Sequence, residues 1–518
     1  MIGKFIFLVS ILHFASENVL IDPRYHTYLE MVQEVNSIAT MYPEITRLDT
    51  LGVSTRDSLP ILAIKISDNP LIKEDEPAIL FNGVHHAEEL LGGEVALYLL
   101  NDLVSKYGID SAITFWIDNT EIWIIPILNP EGHNVVTSGL DTIWRKNKRD
   151  NNNSGFFEPE SDGVDLNRNY DFNWELGGSP DPTNEYYRGP FPFSENETRI
   201  IRDLALENHF VFDVCYHNVR TGQGELVYWP WRWGTQFCID YPFIKKIADT
   251  VAAKIINDAG NGTYASIYGY ATEGTARNWL YGVCGTFAYT IEVSRSCYPP
   301  GYLVDGICQR NLPGAYYLLE RTFGSGITGI ITDSVTNLPL VAEVRVAGYY
   351  DPTLPPRLSD SMFGRYRRIL NPGTYTLYFL KSGYDTFIVE GVVVEPGITE
   401  TLNIKMRPLA IEEEKRKNCD MTERLKVAPN PFRNQCLIKF QIPNPDHQTN
   451  SKSQFSLSIY DATGRLVRDF PRLTVNGERS TVFWAGDDNC GQKLPAGIYF
   501  IFFKISDSVS VEKVLKID

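Results

Sequence analysis

The chain of 518 residues is expected to fold as one large α/β domain followed by two small β-sandwich domains. Three observations predict this. From about residue 21 to residue 323, short fully apolar runs alternate with amphipathic stretches, the pattern of buried strands covered by helices. At Gly324-Ser325-Gly326 the helical periodicity stops, and short strand-like runs bounded by turn residues take over. A charged run, Glu412-Glu413-Glu414-Lys415-Arg416-Lys417, then separates a second strand-rich stretch. Hydrophobic residues make up 43% of the chain, enough for a large core, and the length suits roughly three domains of about 150 residues each.

The elements follow in order. Met1-Ile2-Gly3-Lys4 and the apolar run after it resemble a secretory signal peptide over residues 1–16, a buried N-terminal strand being the alternative. The short interval before the first helix leaves no room for a large prodomain. The pattern predicts helices over 28–42, 90–104, 195–207, 242–258 and 312–323. Strands are predicted over 61–66, 78–84, 121–128, 210–216 and 285–293. Ser194 opens the third helix, with Glu197 completing a capping box. The expected division is 22–323 for the α/β domain, 326–408 for the first β-domain, 409–424 for a linker and 425–518 for the last domain. Strands in the β-domains are expected near 329–331, 342–346, 373–380, 387–394 and 400–406, then near 436–442, 455–461, 481–484, 497–505 and 511–517.

The net charge of −16 argues against a nucleic-acid partner, which needs a basic face. No later stretch approaches the ~18 apolar residues of a membrane span, so no integral membrane segment is expected. The eight cysteines contain no Cys-x-x-Cys pair, which excludes the usual thiolate zinc site. Export permits disulfides, but their pairing cannot be read from spacing. Cys215 lies in an apolar run and reads as a core residue.

The stretch Asn82-Gly83-Val84-His85-His86-Ala87-Glu88-Glu89 stands where a strand turns into a helix. A His and a Glu three residues apart can converge on one metal, either as His86 with Glu89 or as His85 with Glu88. A catalytic zinc typically takes three protein ligands and keeps one position open. His217 ends the apolar run 210–216, and sites in open α/β sheets collect at the carboxyl ends of strands.

With that stretch, Asn129-Pro130-Glu131-Gly132, Trp144-Arg145-Lys146, Val164-Asp165-Leu166-Asn167-Arg168-Asn169, Tyr216-His217-Asn218 and Tyr289-Thr290-Ile291-Glu292 follow in order. Together they resemble the zinc carboxypeptidase family over about residues 25–323. The resemblance implies a mixed sheet and one zinc ion held by His86, Glu89 and His217. It implies that Glu292 is the general base taking a proton from the attacking water, and that Arg145 stabilises the oxyanion. Asn167 and Arg168 match the clamp for the substrate's terminal carboxylate, a task suited to the planar fork of Arg. Asp165 matches a carboxylate that orients a ligand His. Tyr270 matches a mobile tyrosine closing over the substrate terminus, with Tyr264 and Tyr268 as competitors. Arg277 falls where the family reads the last side chain, and Arg232 is a second candidate there. A cation in that pocket favours a C-terminal Glu or Asp. Glu88 and Asn218 depart from the family's usual residues, which bears on substrate contacts.

Residues 326–408 resemble the transthyretin-like regulatory domain through Gly329-Ile330-Ile331-Thr332-Asp333, Leu338-Pro339, Gly373-Thr374-Tyr375 and Lys381-Ser382-Gly383-Tyr384. The last domain carries Val427-Ala428-Pro429-Asn430-Pro431-Phe432, Ser458-Ile459-Tyr460-Asp461-Ala462-Thr463-Gly464 and Leu494-Pro495-Ala496-Gly497-Ile498-Tyr499-Phe500. It resembles the C-terminal sorting domain of the bacterial type IX secretion system, or the related hook-capping domain. That implies contact with the export machinery and a secreted or surface-attached protein. The leading expectation is a secreted zinc metallocarboxypeptidase acting on peptides or proteins. The alternatives are a zinc peptidase for cell-wall muropeptides and a non-catalytic adhesion protein.

Overall fold

The computed structural model describes residues 21–220, 224–409, 425–441, 455–470, 479–489, 491–505 and 508–517. The expected signal peptide, residues 410–424 of the linker, Cys419 and Cys490 lie outside the described residues. The chain divides into two compact units, Met1–Leu409 and Ala410–Asp518. The six described cysteines are free thiols. Among the described residues no helix is long and apolar enough to cross a membrane.

The α/β part runs α1 (Tyr28–Met41), β1 (Thr46–Val53), β2 (Pro60–Ile66), β3 (Ala78–Gly83), α2 (Leu90–Lys106), α3 (Ser111–Ile117), β4 (Glu121–Ile125), α4 (Pro130–Thr137) and α5 (Asn196–Asn208). It continues β5 (Phe212–His217), β6 (Leu226–Trp233), β7 (Gln236–Phe237), α6 (Tyr241–Lys254), β8 (Ala265–Tyr270), α7 (Ala276–Trp279), β9 (Phe287–Glu292) and α8 (Gly301–Arg321). The strands form one nine-stranded sheet in the order β1-β2-β4-β3-β5-β9-β6-β7, with β8 beside β6. Its centre is parallel, β4, β3, β5 and β9, and antiparallel strands flank it, so the sheet is mixed. The central strands β3, β4 and β5 are buried along their whole length, as strands covered on both faces must be. The helix α2 lies against them at close range. A side chain at Gly83 would meet the Gly92 carbonyl at 2.6 Å, and one at Gly92 the Tyr216 carbonyl at 2.5 Å.

Three expectations need correction. The helix α5 has Glu195, not Ser194, at its N-cap, without a side-chain capping bond. Ser194 donates instead to Glu195, at 2.6 Å, and Glu197 turns inward to accept from Thr55. The last helix begins at Gly301, well before residue 312, because Pro313 sits inside it and not at its start. Proline gives no N–H, so its usual reading is a first-turn residue. The strands β1, β6 and β8 were not expected. The first is mostly half-buried, without the fully apolar run of a central strand, and the second carries Pro230 beside a register shift between Trp229 and Arg232.

In the same unit follow β10 (Gly326–Asp333), β11 (Glu343–Val346), β12 (Arg365–Ile369), β13 (Gly373–Leu380), β14 (Phe387–Val394), β15 (Thr399–Thr401) and β16 (Ile404–Met406). They form a sheet β12-β10-β15, with β16 also on β10, and a second sheet β11-β13-β14. Ile327, Ile331, Val344, Leu377 and Phe379 are buried between them. This part packs on the α/β part. Arg365 grips the Asp75 carboxylate, with Nε 2.8 and 2.9 Å from its two oxygens. The Phe243 and Tyr349 rings lie 4.5 Å apart.

The second unit holds β17 (Leu425–Ala428), β18 (Cys436–Gln441), β19 (Phe455–Asp461), β20 (Leu466–Asp469), β21 (Arg479–Trp484), β22 (Gly497–Ile505) and β23 (Ser508–Lys516). Its sheets are β17-β18-β21 and β20-β19-β22-β23. Phe432, Ile438, Leu457, Trp484 and Ile501 form its core.

Candidate functional site

Three adjacent central strands deliver the site's side chains at their carboxyl ends. Leaving β3, the chain turns at Val84, whose φ of 56° is a left-handed conformation rare for a β-branched residue. That turn sets His86 and Glu89 ahead of α2. Glu89 is the N-cap of α2 yet makes no capping bond with its side chain. His217 ends β5 and Glu292 ends β9, and the two are paired in the parallel ladder.

His86 Nδ1 lies 2.8 Å from Glu89 Oε1, and His217 Nδ1 lies 2.6 Å from Glu89 Oε2. One ligand atom from each of His86, Glu89 and His217 falls within 4.8 Å of the others. The far side of each imidazole is held. His86 Nε2 is 3.2 Å from Asp165 Oδ1, and His217 Nε2 is 3.3 Å from Asn167 Nδ2. Two imidazole nitrogens and a carboxylate, with their outer edges engaged, are the donor set zinc takes when one position stays open.

The rival register is otherwise occupied. His85 meets Cys215 Sγ at 3.0 Å and Tyr170 Oη at 2.9 Å, and Glu88 accepts from Arg220 at 3.0 Å. His85, Cys215 and His217 also fall within 4.8 Å of one another. Burial pushes the Cys215 thiol well above its ordinary pKa, which keeps it from the thiolate form that binds metals.

Asp165 is fully buried and links two parts of the site. It accepts from Arg145 Nε at 2.9 Å and from the Asn167 amide at 2.9 Å. Burial opposes its ionisation, but Arg145 and His86 hold its pKa well below the usual carboxylate range. Arg145 stays close to Glu89, at 3.7 Å. Glu292 is half-buried, and its Oε2 is shielded without a partner. Burial and the charge of Glu89 push its pKa up to about 8.

A cavity of about 420 Å³ opens here, lined among others by His86, Glu89, Arg145, Arg168, His217 and Glu292. Asn167, Tyr270 and Arg277 line it too. The backbone carbonyl of Asn167 accepts from Arg168 Nη1 at 2.8 Å, and its side-chain oxygen accepts from the Ala276 amide at 2.9 Å. Tyr270 ends β8 with 59% of its surface exposed. The competing tyrosines are committed elsewhere. Tyr264 donates to the Val293 carbonyl, and Tyr268 accepts from Arg232. Arg232 also turns back to the Gly234 carbonyl and is not among the residues lining the cavity, contrary to expectation.

The sequence reasoning missed Glu185, Tyr186, Arg220, Tyr228 and Glu273, which also line the cavity. Arg145 and Arg168 both lie over the Tyr186 ring, at 5.1 and 5.8 Å. Only Glu273 carried a legible signal, because it stands four residues before Arg277, the spacing of a helical ion pair.

Comparison with known proteins finds two matching families. The zinc carboxypeptidase family matches residues 31–312, and the secretion system C-terminal sorting domain matches residues 426–517. A zinc carboxypeptidase of Saccharothrix mutabilis subsp. capreolus is 29% identical over 54% of this chain and 64% of its own length. The match thus spans less than two thirds of that relative. Carboxypeptidase B of Astacus astacus is 30% identical over 52% of this chain and 86% of its own length. The crystal structure of a carboxypeptidase A from Helicoverpa armigera superposes with a TM-score of 0.51 at 22% identity, covering 57% of this chain and 73% of that one, a likeness of fold.

Proposed function

Because the chain belongs to the zinc carboxypeptidase family, we propose that it is an exported metallocarboxypeptidase that hydrolyses the last peptide bond of peptides or proteins. One observation carries this reading. The ligand atoms of His86, Glu89 and His217 converge in the same cavity as an unpartnered Glu292 oxygen and the cations Arg145 and Arg168.

His86, Glu89 and His217 would hold one zinc ion, which would supply a Lewis acid for the scissile carbonyl and for the attacking water. The chain's own groups do the rest. Arg168, Asn167 and Tyr270 hold the substrate's free carboxylate, which restricts cleavage to the terminal bond. Arg145, fixed by Asp165, faces the negative charge that develops on the carbonyl oxygen. Glu292 takes a proton from the attacking water and returns it to the leaving amine. With a divalent cation held by His86, Glu89 and His217, the raised pKa of Glu292 would fall, which would favour the carboxylate form that a base needs.

Arg277 lies in the cavity wall as the reader of the last side chain, and it supports a preference for a C-terminal Glu or Asp. We read residues 22–323 as the catalytic domain, 326–408 as a regulatory domain packed on it, and 425–518 as the sorting domain that delivers the protein outside the cell or to its surface. Release of C-terminal amino acids from a peptide panel, with and without chelator, tests the reading. Hydrolysis that survives chelation, or that is confined to internal bonds, would overturn it. Cleavage of muropeptides with none of simple peptides would move the substrate to the cell wall.

A further inference from the structure

Arg277 is buried, with 5% of its side chain exposed, while its partner Glu273 keeps 28%. The guanidinium lies close against the backbone of β8, where a side chain at Gly269 would meet Nη2 at 2.0 Å. Tyr228 covers it at 5.6 Å. Of its five N–H groups, Nη1 donates to Thr290 Oγ1 at 3.0 Å and Nη2 to Glu273 Oε2 at 2.9 Å, while Nε is buried without a partner. The ion pair is therefore single-pronged, and the fork that could grip a carboxylate at two points is underused. Glu273 sits on the short link between Tyr270 and α7, next to Gly274 at φ 63°, where a released side chain has solvent to enter.

A buried arginine stripped of its counter-ion is costly, whereas exchange of one carboxylate for another leaves the buried charge unchanged. From this geometry we infer that Glu273 is a displaceable internal counter-ion, which holds Arg277 in the empty pocket and yields to the side-chain carboxylate of a C-terminal Asp or Glu. The inference rests on the proposed role of Arg277 in the pocket. Glu273 then sets how strongly acidic ends are favoured, because every acidic substrate must compete with it. Neutral ends bind with the Glu273–Arg277 pair intact.

The test uses the zinc-loaded full chain and N-blocked peptides that differ only in a C-terminal Glu, Gln or Leu. In Glu273→Gln the ratio of kcat/KM for Glu over Gln is expected to rise about tenfold over wild type, mainly through KM, as for a competing charge removed. Glu273→Asp keeps the charge but cannot reach, and is expected to gain several-fold. Both gains should vanish when Arg277→Ala is added. An unchanged or lowered Glu/Gln ratio in both variants overturns the exchange. A gain confined to Glu273→Gln assigns the effect to the field of the carboxylate and overturns it too. Zinc content and Tm verify that each variant is folded. The wild-type ratio reports separately on the acidic preference. If wild type releases Leu faster than Glu, that preference fails, while the variant-to-wild-type comparison still decides the exchange.

Discussion

Glu292 and Glu197 occupy two regions that look alike by charge. Each carboxyl is pushed up to about 8, by burial first and then by a neighbouring glutamate, Glu89 in one case and Glu195 in the other. Their surroundings differ in what has been left unsatisfied. Both Glu197 oxygens are taken by Thr55, from its amide at 3.2 Å and its hydroxyl at 2.5 Å, and the pair pins the turn between β1 and β2 to α5. One Glu292 oxygen has no partner, and the side chain opens onto the cavity lined by His86, Glu89 and His217. A displaced pKa therefore marks a buried acid of either kind. Between these two acids, the vacant oxygen beside the cavity is what sets Glu292 apart from Glu197.

The contrast can be broken most forcefully by removing the metal. Chelation is expected to abolish peptide hydrolysis, with recovery on adding zinc, measured as released amino acid. Glu292→Gln comes next, with a loss of about 10²–10⁴ in kcat and an unchanged Tm. A normal rate would sink the proposed base. Arg145→Ala is expected to cost about 10²–10³ in kcat, with some metal affinity lost through Asp165, which a zinc titration would reveal. Arg168→Gln should raise KM about 10- to 100-fold for free-acid substrates. It should leave the already poor cleavage of C-terminal amides nearly unchanged.

Glu197→Gln sharpens the comparison from the bracing side, with activity expected within about twofold of wild type, as for a substitution distant from the reacting atoms. Its signature is in stability. The folded protein holds the Glu197 proton up to about pH 8, whereas the unfolded chain releases it near the ordinary 4.5. Wild-type stability therefore falls as pH rises through that window. The variant has no proton to lose there, so its Tm should gain on wild type from pH 5 to pH 8. A constant Tm difference would show that Glu197 is not held neutral.

Much of this was legible in the sequence. The strands β3, β4, β5 and β9 announce themselves as largely apolar runs, and His86, Glu89, His217 and Glu292 stand at or just past their ends. What escaped reading was set by tertiary contact. Strand β6 interrupts its own pattern with Pro230 and is held by its neighbours β8 and β9. The helix α8 begins early because packing tolerates Pro313 inside it. Arg220 and Tyr186 reach the cavity from loops, where no periodicity points inward. The family resemblance chose His86 and Glu89 over His85 and Glu88, while the contacts that occupy His85, with Cys215 and Tyr170 far along the chain, were visible only in the structure.

The placement of β8 has a consequence for how this molecule can change over generations. It hydrogen-bonds only to β6 among the strands of the sheet and hands the chain on to Tyr270, Glu273 and Arg277. His217 and Glu292 instead end strands with a neighbour on both sides, and His86 and Glu89 follow a third such strand. Substitutions at Tyr270 and Glu273, on that strand and the link after it, are therefore expected to disturb less of the sheet than substitutions at His217 or Glu292. On the proposed reading, selectivity for a peptide's last residue is thus easier to alter than the hydrolytic centre.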